Sequence, residues 1–153
     1  MERYGYRSTH PSDEVKRKYR FINHIADVGI KVYGSSCNEL FRNGALALYD
    51  LLVDISTVLP KEEHKITVQG EDLTDLWVNF LREALSLFHI EKVVCCNCYV
   101  AVINTGYGEA IMYGETLDLN RHRLKQEIKA VTYHQAYVKK TSTYWVGQVI
   151  FDV

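Results

Sequence analysis

An imidazole and a carboxylate lie three residues apart near the start of the chain, in His24 and Asp27, and Gly29 follows them. The sequence predicts that this stretch joins two strands, where a glycine allows another segment of backbone to approach closely. Such a junction could present both side chains to a ligand. An Asp in a turn more often accepts hydrogen bonds from nearby main-chain amides, and the spacing alone favours that ordinary role.

The last five residues, 149–153, form an apolar, β-forming run that contains a second candidate carboxylate, Asp152. A chain terminus normally frays. Because this one is apolar up to Val153, we expect a terminal strand held in the sheet, which presents Asp152 and the Val153 α-carboxylate at a fixed place. Two or three hard oxygens that meet there would favour Mg²⁺ or Ca²⁺ over zinc.

Lys129 lies in a run of β-forming residues, 127–134, and is predicted to be on a strand whose other face is apolar. A solvated lysine is the ordinary interpretation of such a position. If the strand faces the proposed metal end, the ammonium could instead meet a phosphate or an acid of a partner. His134 has a similar choice between a core partner and a ligand, and the sequence favours the core partner.

Sequence motifs of the common catalytic sites are absent from the chain. It contains no phosphate-binding P-loop, no H-E-x-x-H zinc motif, no G-x-S-x-G nucleophile motif and no EF-hand loop. Residues 106–108 read Gly-Tyr-Gly, like the start of a dinucleotide-binding pattern, but no predicted helix follows them. The sequence therefore predicts a hairpin turn there.

The composition indicates one globular domain. The chain has 153 residues, of which 47% are hydrophobic and 24% charged, as is usual for globular proteins. A formal net charge of −1 excludes the strongly basic footprint of a stand-alone nucleic-acid binder. Because no apolar run is long enough to span a membrane, we expect no membrane association and a cytoplasmic protein. Residues 1–18 are predicted to be a flexible leader and residues 19–153 the domain.

In the first half of the chain, hydrophobic periodicity and capping residues predict two strands and a helix. Residues 19–22 and 29–33 have the apolar or alternating pattern of strands. Ser36 and Glu39 form a capping-box pattern, which predicts that a helix begins there. An apolar stripe at steps of three and four residues carries that helix to about Val53.

The second half begins with a predicted strand at 64–69 and a helix capped by Asp72, and then turns to β structure. Runs of Val, Ile, Tyr and Thr are separated by turn residues at 104–106, 120–123 and 139–142. The sequence thus predicts an α+β fold, with two amphipathic helices packed on one face of a mostly antiparallel sheet.

The four cysteines do not form a recognisable metal or disulfide pattern. Cys37 stands alone, while Cys95, Cys96 and Cys98 crowd into one apolar stretch. A zinc site of four thiolates would need two separated C-x-x-C-like pairs, and the second pair is missing. We interpret the cysteines as buried thiols of a reducing cytoplasm.

Five stretches together resemble the archease family, in register along residues 19–153. They are residues 24–30, 45–48, 68–73, 127–134 and 149–153. The resemblance implies a small α+β protein that assists the GTP-dependent RNA ligase of the RtcB type. That ligase joins 2′,3′-cyclic-phosphate or 3′-phosphate ends of RNA to 5′-hydroxyl ends in tRNA splicing and RNA repair. The implied role is that of an accessory factor that speeds transfer of GMP to the ligase and keeps it turning over, without catalysis of its own.

The resemblance also implies a functional site. Its acids correspond to Asp27 and Asp152, which with Val153 would form a divalent-metal site for Ca²⁺ or Mg²⁺, with Mn²⁺ shared with the ligase as a further option. The functional lysine of the family corresponds to Lys129, and with His24 it is assigned to contact with the partner or with phosphate. RNA is expected to be met only indirectly, through the ligase.

The chain departs from the family pattern at three positions, and two other functions stay open. Ile25 replaces a Thr, and Asn79 and Phe80 stand where an Asp-Trp pair is common. One alternative is a metal-dependent phosphoester hydrolase built on Asp27, Asp152 and His24, against which stand its few ligands and the lack of an evident general base. The other is a chaperone-like binding module that uses exposed members of the eleven tyrosines.

Overall fold

The computed structural model of the chain describes residues 18–23 and 27–153, and within them it forms seven strands and two α-helices, besides a short 3₁₀ helix at Ile55–Thr57. In chain order these elements are β1 (Tyr19–Asn23), β2 (Asp27–Gly34), α1 (Cys37–Leu52), β3 (Glu62–Gln69), α2 (Leu73–Glu91), β4 (Val93–Ile103), β5 (Tyr107–Thr116), β6 (Ala130–Lys140) and β7 (Trp145–Asp152). Neither described helix is long and apolar enough to cross a membrane. Apart from Lys18, the predicted leader lies outside the described residues.

Helix α1 begins where the capping pattern predicts. The hydroxyl of Ser36 accepts a hydrogen bond from the main-chain N–H of Glu39 at 3.1 Å, which satisfies one of the free amides of the first turn. The Glu39 carboxylate accepts from the Ser35 hydroxyl at 2.6 Å. The helix ends at Leu52, with Val53 as its C-cap, so both predicted ends are confirmed.

Helix α2 is also capped as predicted, by Asp72. Its carboxylate accepts a hydrogen bond from the N–H of Asp75 at 2.8 Å, in the first turn, where a negative charge also suits the helix dipole. At the other end Lys92 adopts the left-handed conformation, with φ 57°, and its N–H bonds to the Leu87 carbonyl. This closes the helix after Glu91.

The strands form two antiparallel sheets. One has four strands in the order β1-β2-β7-β6, and the other has three in the order β3-β5-β4. The predicted α+β class with two helices and antiparallel strands is confirmed. The strands divide between two sheets, whereas the sequence predicted one, because the pairing of β2 with β7 joins segments more than a hundred residues apart and leaves no local signal.

Both helices pack against both sheets. Helix α1 contacts β2 in one sheet and β4 in the other, and α2 contacts β6 and β3. A helix covered on two sides needs apolar residues over most of its circumference. Accordingly α1 buries adjacent as well as periodic positions, including Ala47, Leu48, Tyr49, Leu51 and Leu52.

Trp77 of α2 is the largest fully buried side chain and holds the helices to the four-stranded sheet. Its indole N–H donates to the carbonyl of Gln148 on β7 at 3.1 Å, and its ring meets Phe41 of α1 edge-on at 5.3 Å. A Cβ at Gly44 would lie 2.5 Å from the Trp77 ring. Gly44 therefore allows α1 and α2 to approach closely around the indole.

A bulge in β4 decides where the clustered cysteines point. The register against β5 shifts between Cys95 and Asn97, so Cys95 and Cys98 both face the core, and Cys96 is half-buried. All four thiols are free. Burial raises the pKa of Cys95 and of Cys98 to about 12, and that of Cys37 to about 11. The predicted buried thiols are thus confirmed for Cys95 and Cys98, while Cys37 and Cys96 are half-buried.

The connections in the second half differ in length from the prediction. Residues 104–106 form the predicted turn between β4 and β5. The β5–β6 connection spans residues 117–129 rather than only a turn at 120–123, and the last turn lies at 141–144. We call residues 117–129 the basic connection.

A four-residue bulge, at residues 133–136, interrupts β6. Its pairing with β7 breaks after Thr132 and resumes at Tyr137, and Gln135 has φ 55°. His134 lies in this bulge and is exposed, so the expectation that it has a core partner is wrong. The strict alternation of an unbroken strand does not hold across a bulge, which is why the sequence pattern misplaced this side chain.

Candidate functional site

The two candidate carboxylates lie side by side at one end of the four-stranded sheet. Asp27 is the first residue of β2 and Asp152 the last of β7, and the antiparallel register pairs them directly. Side chains of such a pair leave the sheet on the same face, with Cβ atoms about 4.5–5.5 Å apart. Asp27 is half-buried, Asp152 exposed and Val153 half-buried. We call these three residues the acidic end.

The position of the acidic end is fixed by the strand that carries it. β7 is an inner strand, bonded to β2 on one side and to β6 on the other. Phe151, next to Asp152, is fully buried and lies opposite Val28 and Val131. The expectation that residues 149–153 form a strand held in the sheet is therefore confirmed. The backbone that carries the Asp152 carboxylate is fixed by that strand.

Gly29 sets the spacing of β2 and β7 beside the acidic end. A Cβ added there would lie 2.6 Å from the Ile150 side chain and 2.9 Å from the Val149 carbonyl oxygen. Any other residue would push β2 away from β7 two positions from Asp27. The prediction that Gly29 allows another segment of backbone to approach closely is confirmed, and that segment is β7.

Lys129 reaches the same end from the neighbouring chain segment. Its main-chain N–H donates to the main-chain carbonyl of Asp152 at 2.7 Å, and the next residue, Ala130, pairs with Asp152. Lys129 stands just before β6 rather than on the strand as predicted, and its side chain is exposed. Ile128, which is 1% exposed, anchors the chain immediately before it.

Two cationic side chains of the basic connection form ion pairs with carboxylates of the fold. Arg121 pairs with the buried carboxylate of Glu115, and Lys125 pairs with that of Asp50 at 3.3 Å. For Lys129, by contrast, no described carboxylate lies within ion-pair distance. Its charge is therefore available to a ligand that comes from outside.

Glu115 anchors the other end of the basic connection. The pKa of its carboxyl lies well below its usual range, because Arg121 donates to it and the main-chain N–H of Leu59 and the His122 ring donate as well. The N–H of Asp118 donates to Nδ1 of His122 at 2.9 Å, so the ring proton is on Nε2 and faces Glu115. This cluster is structural and holds the connection against β5.

The described residues do not contain a complete metal site of side chains. No cluster of three or more His, Cys, Asp or Glu side chains is found in residues 18–23 and 27–153. His24, the other candidate, and Ile25 lie outside the described residues. The structure nevertheless brings Asp27, Asp152, Val153 and Lys129 together at one end of the four-stranded sheet.

Sequence reasoning missed a second group of polar residues beside Lys129. Arg82, Ser86 and His89 face the start of β6 from α2 and line a cavity together with Lys129. Their spacing of four and three residues puts them on one face of a helix. That periodic polar face was the available signal, but the apolar stripe of the same helix dominated the interpretation.

The two departures from the family pattern in α2 have structural roles here. The amide of Asn79 donates to the main-chain carbonyl of Gln69 at 2.9 Å, a bond that an ionised Asp could not form. Phe80 is buried, with its ring 5.3 Å from that of Phe41. Both residues therefore serve packing in this chain.

Comparison with known sequences relates most of the chain to one family. The sequence profile of the Archease protein family (MTH1598/TM1083) matches residues 19–153. A protein of Pyrococcus abyssi named "Protein archease" is 38% identical over 141 residues, which cover 90% of this chain and 99% of that protein. The protein of the same name from Methanosarcina mazei is 35% identical, covering 90% and 97% of the two chains.

Two solved structures share the fold. The solution structure of protein 1598 of Methanobacterium thermoautotrophicum superposes with a TM-score of 0.76 at 25% identity, covering 90% of this chain and 99% of that one. A crystal structure from Thermotoga maritima, described as "an archease, possible chaperone", gives a TM-score of 0.59 at 18% identity, covering 86% and 94%. This second likeness concerns the fold alone.

Proposed function

The chain belongs to the archease family, and from that premise we propose that it is an accessory factor that activates a GTP-dependent RNA ligase of the RtcB type. Its role in tRNA splicing and RNA repair is to promote transfer of GMP to the ligase and multiple turnover. It does so without a catalytic centre of its own, and it acts in the cytoplasm. The observation that carries the proposal is the direct pairing of Asp27 with Asp152, with Lys129 bonded beside them.

The acidic end has the donor chemistry of a divalent-cation site. Carboxylate oxygens are ligands that Ca²⁺ and Mg²⁺ prefer. Asp27 and Asp152 supply them on one face of the sheet, and the carboxylate of Val153 would be a third source. Such a cation would add positive charge for stabilising phosphate oxygens. Because the described residues leave its coordination incomplete, oxygens of water, of the partner or of a nucleotide would fill the other positions. That openness is also compatible with Mn²⁺ shared with the ligase.

The geometry suits docking beside a nucleotide triphosphate. Guanylylation requires the triphosphate, a metal and the attacking nucleophile to be held in line, and positioning of that kind can supply much of the rate. Asp27 and Asp152 present their carboxylates from a rigid inner strand pair. Lys129 lies next to Asp152 and forms no ion pair with any described carboxylate. Its ammonium group neutralises phosphate charge as the two proteins approach.

Single-turnover labelling of the matching ligase with radioactive GTP tests the proposal. We expect the wild-type chain to accelerate the appearance of GMP-labelled ligase, and Asp27→Ala, Asp152→Ala and Lys129→Ala each to reduce that acceleration at least tenfold. Glu63→Ala is the matched control, because Glu63 is an exposed acid on β3 of the other sheet. Normal activation by folded Asp27→Ala and Asp152→Ala variants would falsify the assignment of the acidic end.

Two parallel measurements separate the alternatives. Hydrolysis of GTP by the chain and metal without ligase would favour a metal-dependent phosphoester hydrolase. Failure to capture the ligase in a pull-down, combined with protection of unrelated proteins from aggregation, would favour a chaperone-like binding module. We expect neither result.

A further inference from the structure

A cavity of about 350 Å³ lies between the second half of α2 and the chain that leads into β6. Arg82, Ser86 and His89 line it from the helix, and Lys129 lines it from the opposite side. Its volume is within the range of sites for small molecules. The cavity is therefore a candidate binding site next to the acidic end but separate from its carboxylates.

The polar lining of the cavity is suited to an anion. Arg82 and Lys129 contribute a guanidinium and an ammonium group, Ser86 offers a hydroxyl donor, and none of the lining residues is Asp or Glu. No described carboxylate lies within ion-pair distance of either cation. An anionic ligand would thus meet the charge of Lys129, which no described carboxylate neutralises, and that of Arg82, which the electrostatic interaction with the Asp75 carboxylate offsets in part.

Arg82 is held in place before any ligand arrives. Its Nε–H donates to the main-chain carbonyl of Val131 at 3.3 Å, and its guanidinium carbon lies 4.6 Å from the centre of the Tyr133 ring. The nearby carboxylate of Asp75 is already bonded by the Tyr133 hydroxyl. A guanidinium fixed in this way loses less side-chain entropy on binding, and its geometry matches phosphate oxygens.

The rest of the lining is apolar. Leu85 and Val131 are buried beneath the cavity, and Ile90, at its rim, is 76% exposed. Inorganic phosphate would leave this surface uncovered. A ligand with an attached base and sugar would cover it, because apolar surface gains free energy when it is removed from water.

We propose that this cavity binds the phosphate monoester of a nucleotide. The phosphate lies between Arg82 and Lys129 with Ser86 and His89 as further hydrogen-bonding groups, and the base or ribose covers Leu85 and Ile90. A free mononucleotide and the 3′-phosphorylated end of an RNA carry the same chemistry. The inference rests on the proposed function only in sharing Lys129, since it requires neither the metal nor the ligase.

Amide NMR titrations of the full chain test this inference. The probes are inorganic phosphate, adenosine 3′-monophosphate, adenosine, and a short single-stranded RNA with either a 3′-phosphate or a 3′-hydroxyl, all at one ionic strength. We expect saturable shifts at residues 82–90 and 129–131. Affinity should be at least tenfold higher for the nucleotide than for phosphate or for adenosine, and tighter binding of the 3′-phosphorylated RNA than of the mononucleotide would identify an RNA end as the source.

Variants locate the binding. Arg82→Gln and Lys129→Gln should each weaken nucleotide binding at least tenfold, because each loses a charged hydrogen bond. Lys139→Gln is the matched control, since Lys139 is an exposed lysine at the far end of β6 and stacks on Tyr137. Because Lys129 is exposed, Lys129→Gln should leave the fold intact. The Lys129→Gln variant therefore tests the inference even if Arg82→Gln disturbs β6.

Three outcomes would overturn the inference: no saturable shifts, shifts confined to other residues, or unchanged affinity in the folded Lys129→Gln variant. Loss of nucleotide binding in Arg82→Gln with normal ligase activation would support this inference and leave the proposed function intact. It would show that ligase activation does not require nucleotide binding in the cavity. Nucleotide binding by a chain that does not activate the ligase would support this inference and refute only the proposed function.

Discussion

Lys129 and Asp152 are joined through their main chains, with the N–H of one donating to the carbonyl of the other at 2.7 Å. Their side chains therefore start from adjacent positions, although 22 residues that include the whole of β6 and most of β7 separate them along the chain. A cation next to a carboxylate pair can contact a phosphate whose other oxygens meet a metal ion. This adjacency makes the acidic end and Lys129 testable as one unit.

Addition of Ca²⁺ should stabilise the wild-type chain, and removal of either acid should abolish that effect. At a metal concentration one hundred times Kd the gain in free energy of unfolding is about 2.7 kcal/mol, which for a domain of this size corresponds to a rise in Tm of about 5–10 °C. Differential scanning fluorimetry of the wild type and of Asp152→Asn measures it. Because Asp152 is exposed, the variant without metal should differ by less than about 0.5 kcal/mol. An equal metal-induced shift in the variant would contradict the assignment.

Gly29→Ala should destabilise the four-stranded sheet by about 1–3 kcal/mol, the usual cost of forcing extra volume into a packed site. The new methyl group would overlap the Ile150 side chain and the Val149 carbonyl. Chemical denaturation measures the loss. Gly106→Ala is a suitable control, since a Cβ there meets its nearest atom at 3.5 Å, an ordinary contact. Similar losses in both variants would show that general glycine effects, rather than strand spacing, are responsible.

Acidification should weaken the fold through Glu115. Its pKa is lower in the folded chain than in the unfolded one, so its contribution to stability is complete above the unfolded value of about 4.3 and is lost as the pH falls towards the folded value. Glu115→Gln should therefore be less stable than wild type at pH 7, by about 1–3 kcal/mol, and should lose less on acidification below about pH 4. Urea denaturation at several pH values gives the free energy of unfolding of both proteins, and hence the slope of that free energy against pH for each. Parallel slopes in the two proteins would exclude Glu115 as the cause.

The cysteines of the native protein should react slowly with a thiol reagent at pH 8. Burial raises the pKa of all four thiols, to about 11 for Cys37 and about 12 for Cys95 and Cys98, so the reactive thiolate is scarce. Cys96, half-buried on the bulged strand, should be the first to react. All four should react rapidly after denaturation, as followed by absorbance with a disulfide reagent and by mass spectrometry of the labelled peptides. Rapid labelling of native Cys95 would contradict the packing of β4.

Local interactions were predictable from the sequence. Ser36 and Asp72 cap the helices through side chains that reach amides only three residues away, and short-range patterns report such bonds well. The proximity of Asp27 to Asp152 was expected from the family resemblance. Periodicity alone could not have paired residues so distant in the chain.

The features that were not predicted depend on tertiary packing. The division into two sheets follows from strand pairing between distant segments, and the exposure of His134 follows from a register shift that no alternation pattern encodes. The cavity beside Lys129 arises only when α2 lies along the start of β6. Its residues on the helix are spaced like those of any solvated face, so the sequence could not distinguish a binding surface from an ordinary one.

The bulge in β6 has a consequence for the behaviour of the protein at high concentration. β6 is the outermost strand of its sheet, and an uninterrupted outer strand offers a row of unbonded amides and carbonyls to another molecule. The interruption between Thr132 and Tyr137 breaks that row in the middle and twists it away from a flat edge. Intermolecular strand pairing, and with it polymerisation into fibrils, is thereby disfavoured along this border of the molecule.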